Sequence, residues 1–349
     1  MIGPSPYRSK GGMATVIKGM EDSCELNSKF DINIHESYID GNIIKRLLFS
    51  IYSFIQFLFV YKKYDIFHIH VACYGSTFRK WFYVYYLKKR SKKIILHVHG
   101  GKYLVFYHNL PEWKKKIVHD LWNKSDIIVA LSQEWKREFE KIFAHPNIVV
   151  INNGIDIEQF LEARNEVELY KNCFLFLGKI VEGKGVYDII DAVKNLKSNY
   201  SEMKVFLAGE GESELVRKKI NEYDLNKQII LVGWVDNNQK IELMKKTATV
   251  ILPSYNEGLP MCILEGMAAG KVIISTNVGA IPEVISNNEN GILVEPGDVK
   301  ALSKAMTCIM DDVEFDEYCI KNNIEQIKAK FDRKKMHKKI MDIYWSMSK

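Results

Sequence analysis

Short apolar runs recur along the chain, each followed by a polar or glycine-bearing turn and then by residues at helical spacing. The clearest instance is Ala248 to Ser275: an apolar run at 250–252, a turn at 254–259, helical spacing over 260–269, and a second apolar run at 272–274. That order is one strand-loop-helix-strand unit of a parallel sheet. Pro260 falls at the first helical position, where its missing N–H costs nothing, and Gly270 falls where a left-handed C-terminal cap belongs. The same alternation predicts strands at 31–37, 64–70, 93–99, 126–131 and 148–151, and then at 173–177, 204–208, 228–232 and 291–294. Helical spacing is predicted at 13–20, from Ser132 as N-cap, at 240–245, from Pro296-Gly297-Asp298 through Met310, and at 332–344.

Two segments break the simple pattern. Residues 47–61 are apolar except for Ser50, Ser53 and Gln56, and those three do not clear a face on a helical wheel. The run is shorter than the ~20 residues a transmembrane helix needs, which leaves a packed helix of the first domain or a helix with a membrane-facing side. Residues 78–90 repeat the theme, aromatics closed by a basic cluster.

With 349 residues the chain has room for two α/β domains, each with its own core. A composition 47% hydrophobic and 26% charged excludes a disordered chain. Net charge is only +6, but the basic residues cluster, for example at Lys45-Arg46, Lys62-Lys63 and Lys114 to Lys116. Such clusters fit an anionic surface, bilayer or nucleic acid, or simply solvated helix ends. The six cysteines show no C-x-x-C pair, which fits a reducing cytosol, and residues 1–18 lack the apolar core of a cleavable signal.

The candidate chemistry gathers after strands. Glu257 stands in the loop after the strand at 250–252, and Gly258, Leu259 and Pro260 lead into a helix N-terminus that favours an anion such as a phosphate. Glu265 lies ~7 Å up that helix, so the two carboxylates have different jobs unless both are merely solvated. Lys179 and Lys184 occupy a glycine-bearing loop after the strand at 173–177 and can converge on a diphosphate. Alternation puts His68 with His70 and His97 with His99 on one face each, but no carboxylate or cysteine completes a metal set, so none is expected. A dinucleotide fingerprint at Gly209-Glu210-Gly211 fails, because position 214 is Glu214.

Taken together, the Glu257-x7-Glu265 pair with its intervening GLPMCIL and the GKIVEGKG loop resemble the retaining glycosyltransferases of family 4, which have the GT-B fold. The resemblance covers nearly the whole chain. It implies two Rossmann-like domains with parallel sheets facing a central crevice: residues 1–160 on the acceptor side, a linker at 161–171, a nucleotide-sugar domain at 172–328, and a C-terminal helix at 329–349 returning to the first domain. It implies a hinge at 153–160 and a buried first strand, of which only Met1 and Ile2 remain, so that strand is expected to be missing or shortened.

By the same resemblance Glu257 faces the donor sugar, Glu265 holds the ribose, and His99 lies beside sugar and acceptor. Gly12, Lys179, Lys184, Gly209, Val235, Gly258, Leu259 and Pro260 line the donor. Lys179 stands where the family has arginine, which keeps the charge and loses the bidentate fork. The implied reaction moves a sugar from a nucleoside diphosphate, UDP above others, to a saccharide or lipid-linked acceptor with retention, without a metal or other cofactor. The implied setting is cell-surface glycan synthesis in the cytoplasm, peripheral at the inner face of the plasma membrane, with no nucleic acid partner. The rival readings are a membrane-associated scaffold with an inactive donor site and a nucleotide-sugar epimerase or hydrolase.

Overall fold

The computed structural model describes residues 1–9, 11–164 and 170–348. The chain forms two compact units, Met1–Gly154 with Arg333–Lys349, and Ile155–Asp332.

The first unit is built on β1 (Ile2–Pro4), β2 (His35–Tyr38), β3 (Ile66–Val71), β4 (Lys93–Val98), β5 (Ile127–Ala130) and β6 (Ile148–Val150). All pair in parallel, in the order β2-β1-β3-β4-β5-β6. The first strand is therefore present but short. Ile2 is buried and lies opposite both His35 of β2 and Ile69 of β3. Three of the strands, β3 to β5, are buried along nearly their whole length, as strands of a parallel sheet covered on both faces are. Ser132 caps the helix Gln133–Ile142 as its position predicts, its Oγ accepting the Trp135 N–H at 3.1 Å, and Trp135 and Phe139 are buried beneath it. The terminal helix, Arg333–Ser348, belongs to this unit. Tyr344 hydroxyl lies 2.7 Å from His68 Nδ1, and Phe30 packs on the rings of Tyr344 and Trp345.

The second unit contains β7 (Cys173–Leu177), β8 (Lys204–Ala208), β9 (Ile229–Gly233), β10 (Thr249–Leu252), β11 (Val272–Thr276) and β12 (Ile292–Val294). They form a parallel sheet in the order β12-β11-β10-β7-β8-β9. Strand order reverses between β7 and β10, and in open α/β sheets ligands bind at the carboxyl end of such a switch point. The helix between β10 and β11 spans Met261–Ala268. It ends as the sequence predicts, with Gly270 at φ 66° and the amides of Gly270 and Lys271 returning to the carbonyls of Met267 and Gly266.

The division between units differs from the boundaries at 160 and 328. Ile155 donates its N–H to the Phe331 carbonyl at 2.9 Å and bridges to Asp332, and Phe160 and Ala163 are buried in the second core. The second unit therefore starts at Ile155, and the first regains the chain at Arg333. Residues 165–169 of the expected linker lie outside the described residues.

Candidate active site

The loop after β10 turns inward at Glu257, which is buried although it carries a carboxylate. Its Oε1 accepts from Ser254 Oγ at 2.8 Å and pairs with Lys184 Nζ. Lys184 closes a 3₁₀ turn, Glu182–Lys184, in the loop after β7. The ion pair thus ties together the two loops that flank the switch point. They approach closely because the next residue is Gly185: a Cβ there would lie 2.1 Å from the Pro253 carbonyl oxygen, and φ is +71°.

Pro260 is the N-cap of the helix that follows, at φ −71° and ψ 126°, rather than its first helical residue. The amides of Met261 and Cys262 open the helix and have no intrahelical acceptor. Gly258 and Leu259 are buried just before it, and the Gly258 carbonyl accepts the Ala280 N–H at 3.0 Å. Glu265 is also buried, and its Oε1 accepts from Lys240 Nζ at 2.6 Å. Lys240 comes from the helix Asn237–Lys245, started by a capping box between Asp236 and Gln239. Cys262 lies within reach of both carboxylates: burial, then Glu257 and Glu265, push its thiol up to about 12. The two glutamates therefore share a neighbourhood but hold different lysines.

The remaining predicted residues of this unit follow the carboxyl ends of the adjacent strands. Lys179 follows β7 and Gly178, is exposed, and has no ion-pair partner among the described residues. Gly209 follows β8 with φ +154°, and a Cβ on it would lie 1.7 Å from the Gly178 carbonyl oxygen, so this position holds the β7 loop in place. Val235 is half-buried after β9, beside the exposed Trp234.

Two predicted residues belong to the first unit, where they too stand at the carboxyl edge of the sheet. Gly12 is the first residue of the helix Gly12–Glu21 that follows β1. His99 is one residue beyond β4, its N–H donating to the Val71 carbonyl at 2.8 Å and its Nε2 lying 2.9 Å from His70 Nδ1. Burial pushes its imidazole down to about 3, so the ring is neutral. Behind it His68 Nε2 lies 3.1 Å from His97 Nδ1. His68, His70 and His97 are close enough to share an ion. Their planes, however, stack within 30° of one another at centroid separations of 4.5 to 5.2 Å. Burial holds all three rings well below the usual imidazole range, so they stack as neutral imidazoles.

Three partners escaped the sequence reading. Ser254 stands only three residues before Glu257 in the same loop, and that nearness was the one signal the sequence held for the contact. Lys240 and Tyr344 carried none, since each meets its partner, Glu265 or His68, only through the fold.

A family model for glycosyltransferase family 4 matches residues 23–159, and one for glycosyl transferases group 1 matches residues 158–326. Glycogen synthase of Mycobacterium tuberculosis is 27% identical over 195 residues, 55% of this chain and 47% of that protein. The UDP-Gal:alpha-D-GlcNAc-diphosphoundecaprenol alpha-1,3-galactosyltransferase of Escherichia coli is 28% identical over 222 residues, 60% of this chain and 57% of the other. The alignments thus span about half the length of these relatives. Sucrose-phosphate synthase from Thermosynechococcus elongatus has the same fold, with a TM-score of 0.82 at 17% identity over 99% of this chain and 98% of that one. The two family models follow one another from residue 23 to residue 326, across two parallel six-stranded sheets with β1 alone of the strands outside the matched residues, and the chain belongs to the glycosyltransferases of family 4 with the GT-B fold.

Proposed function

We propose that the protein is a retaining glycosyltransferase that moves a sugar from a UDP-linked donor to a hydroxyl of a saccharide or lipid-linked acceptor in cell-surface glycan synthesis. The observation that carries this reading is the switch point of the second unit, where two buried carboxylates, each held by its own lysine, flank a helix N-terminus. The galactosyltransferase relative, named for a UDP-sugar and a diphosphoundecaprenol acceptor, supports the choice of donor and of acceptor class.

In this reading the bond between the sugar C1 and the diphosphate breaks, a bond from the acceptor oxygen to C1 forms on the same face, and the acceptor's hydroxyl proton passes to the leaving diphosphate. The diphosphate gains charge as it leaves. Lys179, Lys184 and the amides of Met261 and Cys262 meet that charge, so the reaction needs no divalent ion and no other cofactor. Glu257, anchored by Ser254 and Lys184, orients the donor sugar and stabilises positive charge at C1. One oxygen of Glu265 is committed to Lys240, and the other takes the ribose. Val235 and the adjoining backbone pack on the base, and Gly209 keeps the β7 loop against it. Within the first unit, neutral His99 at the carboxyl edge of the sheet offers a hydrogen-bonding group to a saccharide, and Gly12 opens the helix that follows β1 at the same edge. We place the reaction in the cytoplasm, a setting supported by six cysteines that are all free.

The test is turnover of UDP-galactose, UDP-glucose and UDP-N-acetylglucosamine in EDTA, with a bacterial lipid extract as acceptor and the product's anomeric coupling read by NMR. An α-linked product in EDTA is expected. A β-linked product would overturn retention, and activity lost to EDTA and restored by manganese would overturn metal independence.

A further inference from the structure

The helix Ile43–Val60 is held to the protein along one narrow side: Phe57 is buried in the core, and Ser53 is buried and hydrogen-bonds the Glu36 carbonyl at 2.6 Å, His35 Nε2 at 2.8 Å and the Tyr83 hydroxyl at 3.1 Å. A broad apolar side faces out. Ile44, Leu47, Leu48, Ile51, Ile55 and Phe59 are 50% to 80% exposed, and at ~100° per residue they fall on one half of the helix circumference. The apolar surface continues onto the helix Gly75–Lys88, where exposed Phe82 packs edge-on against Phe54 at 6.4 Å. An apolar patch of this extent on a folded protein marks a partner.

Charge identifies the partner. Residues 43–63 contain no acid, and Lys45 and Arg46 at one end and Lys62 and Lys63 at the other have no ion-pair partner among the described residues. Cations bracketing an apolar helical face match the acyl boundary and headgroups of an anionic bilayer. Ile43–Lys63 is long and apolar enough to cross a membrane, but crossing would expose Ser53 and strip its hydrogen bonds. We infer that this helix lies in the plane of an anionic lipid bilayer, apolar side down, and docks the first unit on that surface. This surface stands independently of the donor reading, because it lies on a different unit from the paired glutamates.

Sedimentation of the full chain with vesicles of phosphatidylcholine alone, and with added phosphatidylglycerol, tests it. The chain is expected to pellet with the anionic vesicles and to be released by salt. The double substitution Leu48→Glu with Ile51→Glu should weaken that binding by at least about tenfold, and Lys45→Gln with Lys62→Gln and Lys63→Gln should weaken it similarly while flattening its salt dependence. Circular dichroism and thermal unfolding of the same variants check their fold, and because neither needs UDP, a failure of the donor reading stays distinct from a failure of this one. A chain that ignores anionic vesicles, or a glutamate variant that pellets like the wild type, would overturn the proposal. So would light scattering that shows a dimer split by Leu48→Glu with Ile51→Glu, since a second copy would then be the occupant.

Discussion

Lys240 and Glu265 sit on separate helices, yet Lys240 Nζ lies 2.6 Å from Glu265 Oε1 and both side chains are largely withdrawn from water. A buried carboxylate held in this way presents its remaining oxygen in one direction. Lys240→Met should therefore weaken UDP binding by about tenfold through loss of that orientation, and Glu265→Ala by more. Because one residue acts through the other, the double variant should bind no worse than Glu265→Ala alone. Calorimetric titration of the four proteins checks this, and additive losses would show that Lys240 acts on the nucleotide separately.

Lys179 offers one ammonium where a guanidinium would offer a fork. Lys179→Arg is expected to tighten UDP binding severalfold and to leave uridine binding unchanged, since only the diphosphate can use the extra donors. Parallel titrations with UDP and uridine decide it: equal gains for both ligands would place this side chain away from the diphosphate.

Gly209 lies against the Gly178 carbonyl so closely that a methyl group cannot fit, and its φ of +154° disfavours any other residue. Gly209→Ala should lower the stability of the second unit by at least about 2 kcal/mol and displace the loop that carries Lys179 and Lys184. Thermal unfolding gives the first effect and UDP affinity the second. An unchanged melting temperature would refute the close approach.

All nine histidines lie in the first unit. Burial holds His68, His70 and His97 well below the usual imidazole range and lowers His35 to about 4 and His99 to about 3, with Lys80 adding to the shift at His35. Their folded values are depressed, so the stability they confer is complete above ~6.5 and is lost as pH falls toward the folded values. Each histidine that must charge on unfolding removes about 1.4 kcal/mol per pH unit in that window. The second unit behaves oppositely, since burial and then Asp312 raise Asp316 to about 7, and its folded form gains protons as pH falls. Calorimetric melting from pH 7 to pH 5 should move the first unit's transition down and leave the second's level or raised, with UDP marking the second. A first-unit transition that stays put would mean that its histidines are solvated.

Much of the second unit was legible in advance because its strands are buried on both faces and read as apolar runs: β7 and β8 fall on the predicted residues, and β10 to β12 within two residues at either end. The first unit was harder. The predicted strand at 31–37 is found at His35–Tyr38, and β1 has only three residues, too few to show a period. Helix Ile43–Val60 resisted for a different reason: with apolar residues on every side, its pattern could not say which face the sheet takes, and hydrogen bonds to Ser53 settle that choice. In the site, the carboxylates and loop lysines announced themselves by position after strands. Their pairing did not, because Lys184 meets Glu257 and Lys240 meets Glu265 only once separate strands lie side by side.

The central claim, a nucleoside-diphosphate site at the switch point between β7 and β10, is tested most directly by calorimetric titration with UDP, GDP and ADP in the presence of EDTA, alongside Lys184→Ala and Glu265→Ala. The account predicts saturable binding of UDP in EDTA, lost in both variants while their folding is retained. A folded wild-type protein that binds none of the three, or binding that survives in both variants, would contradict it.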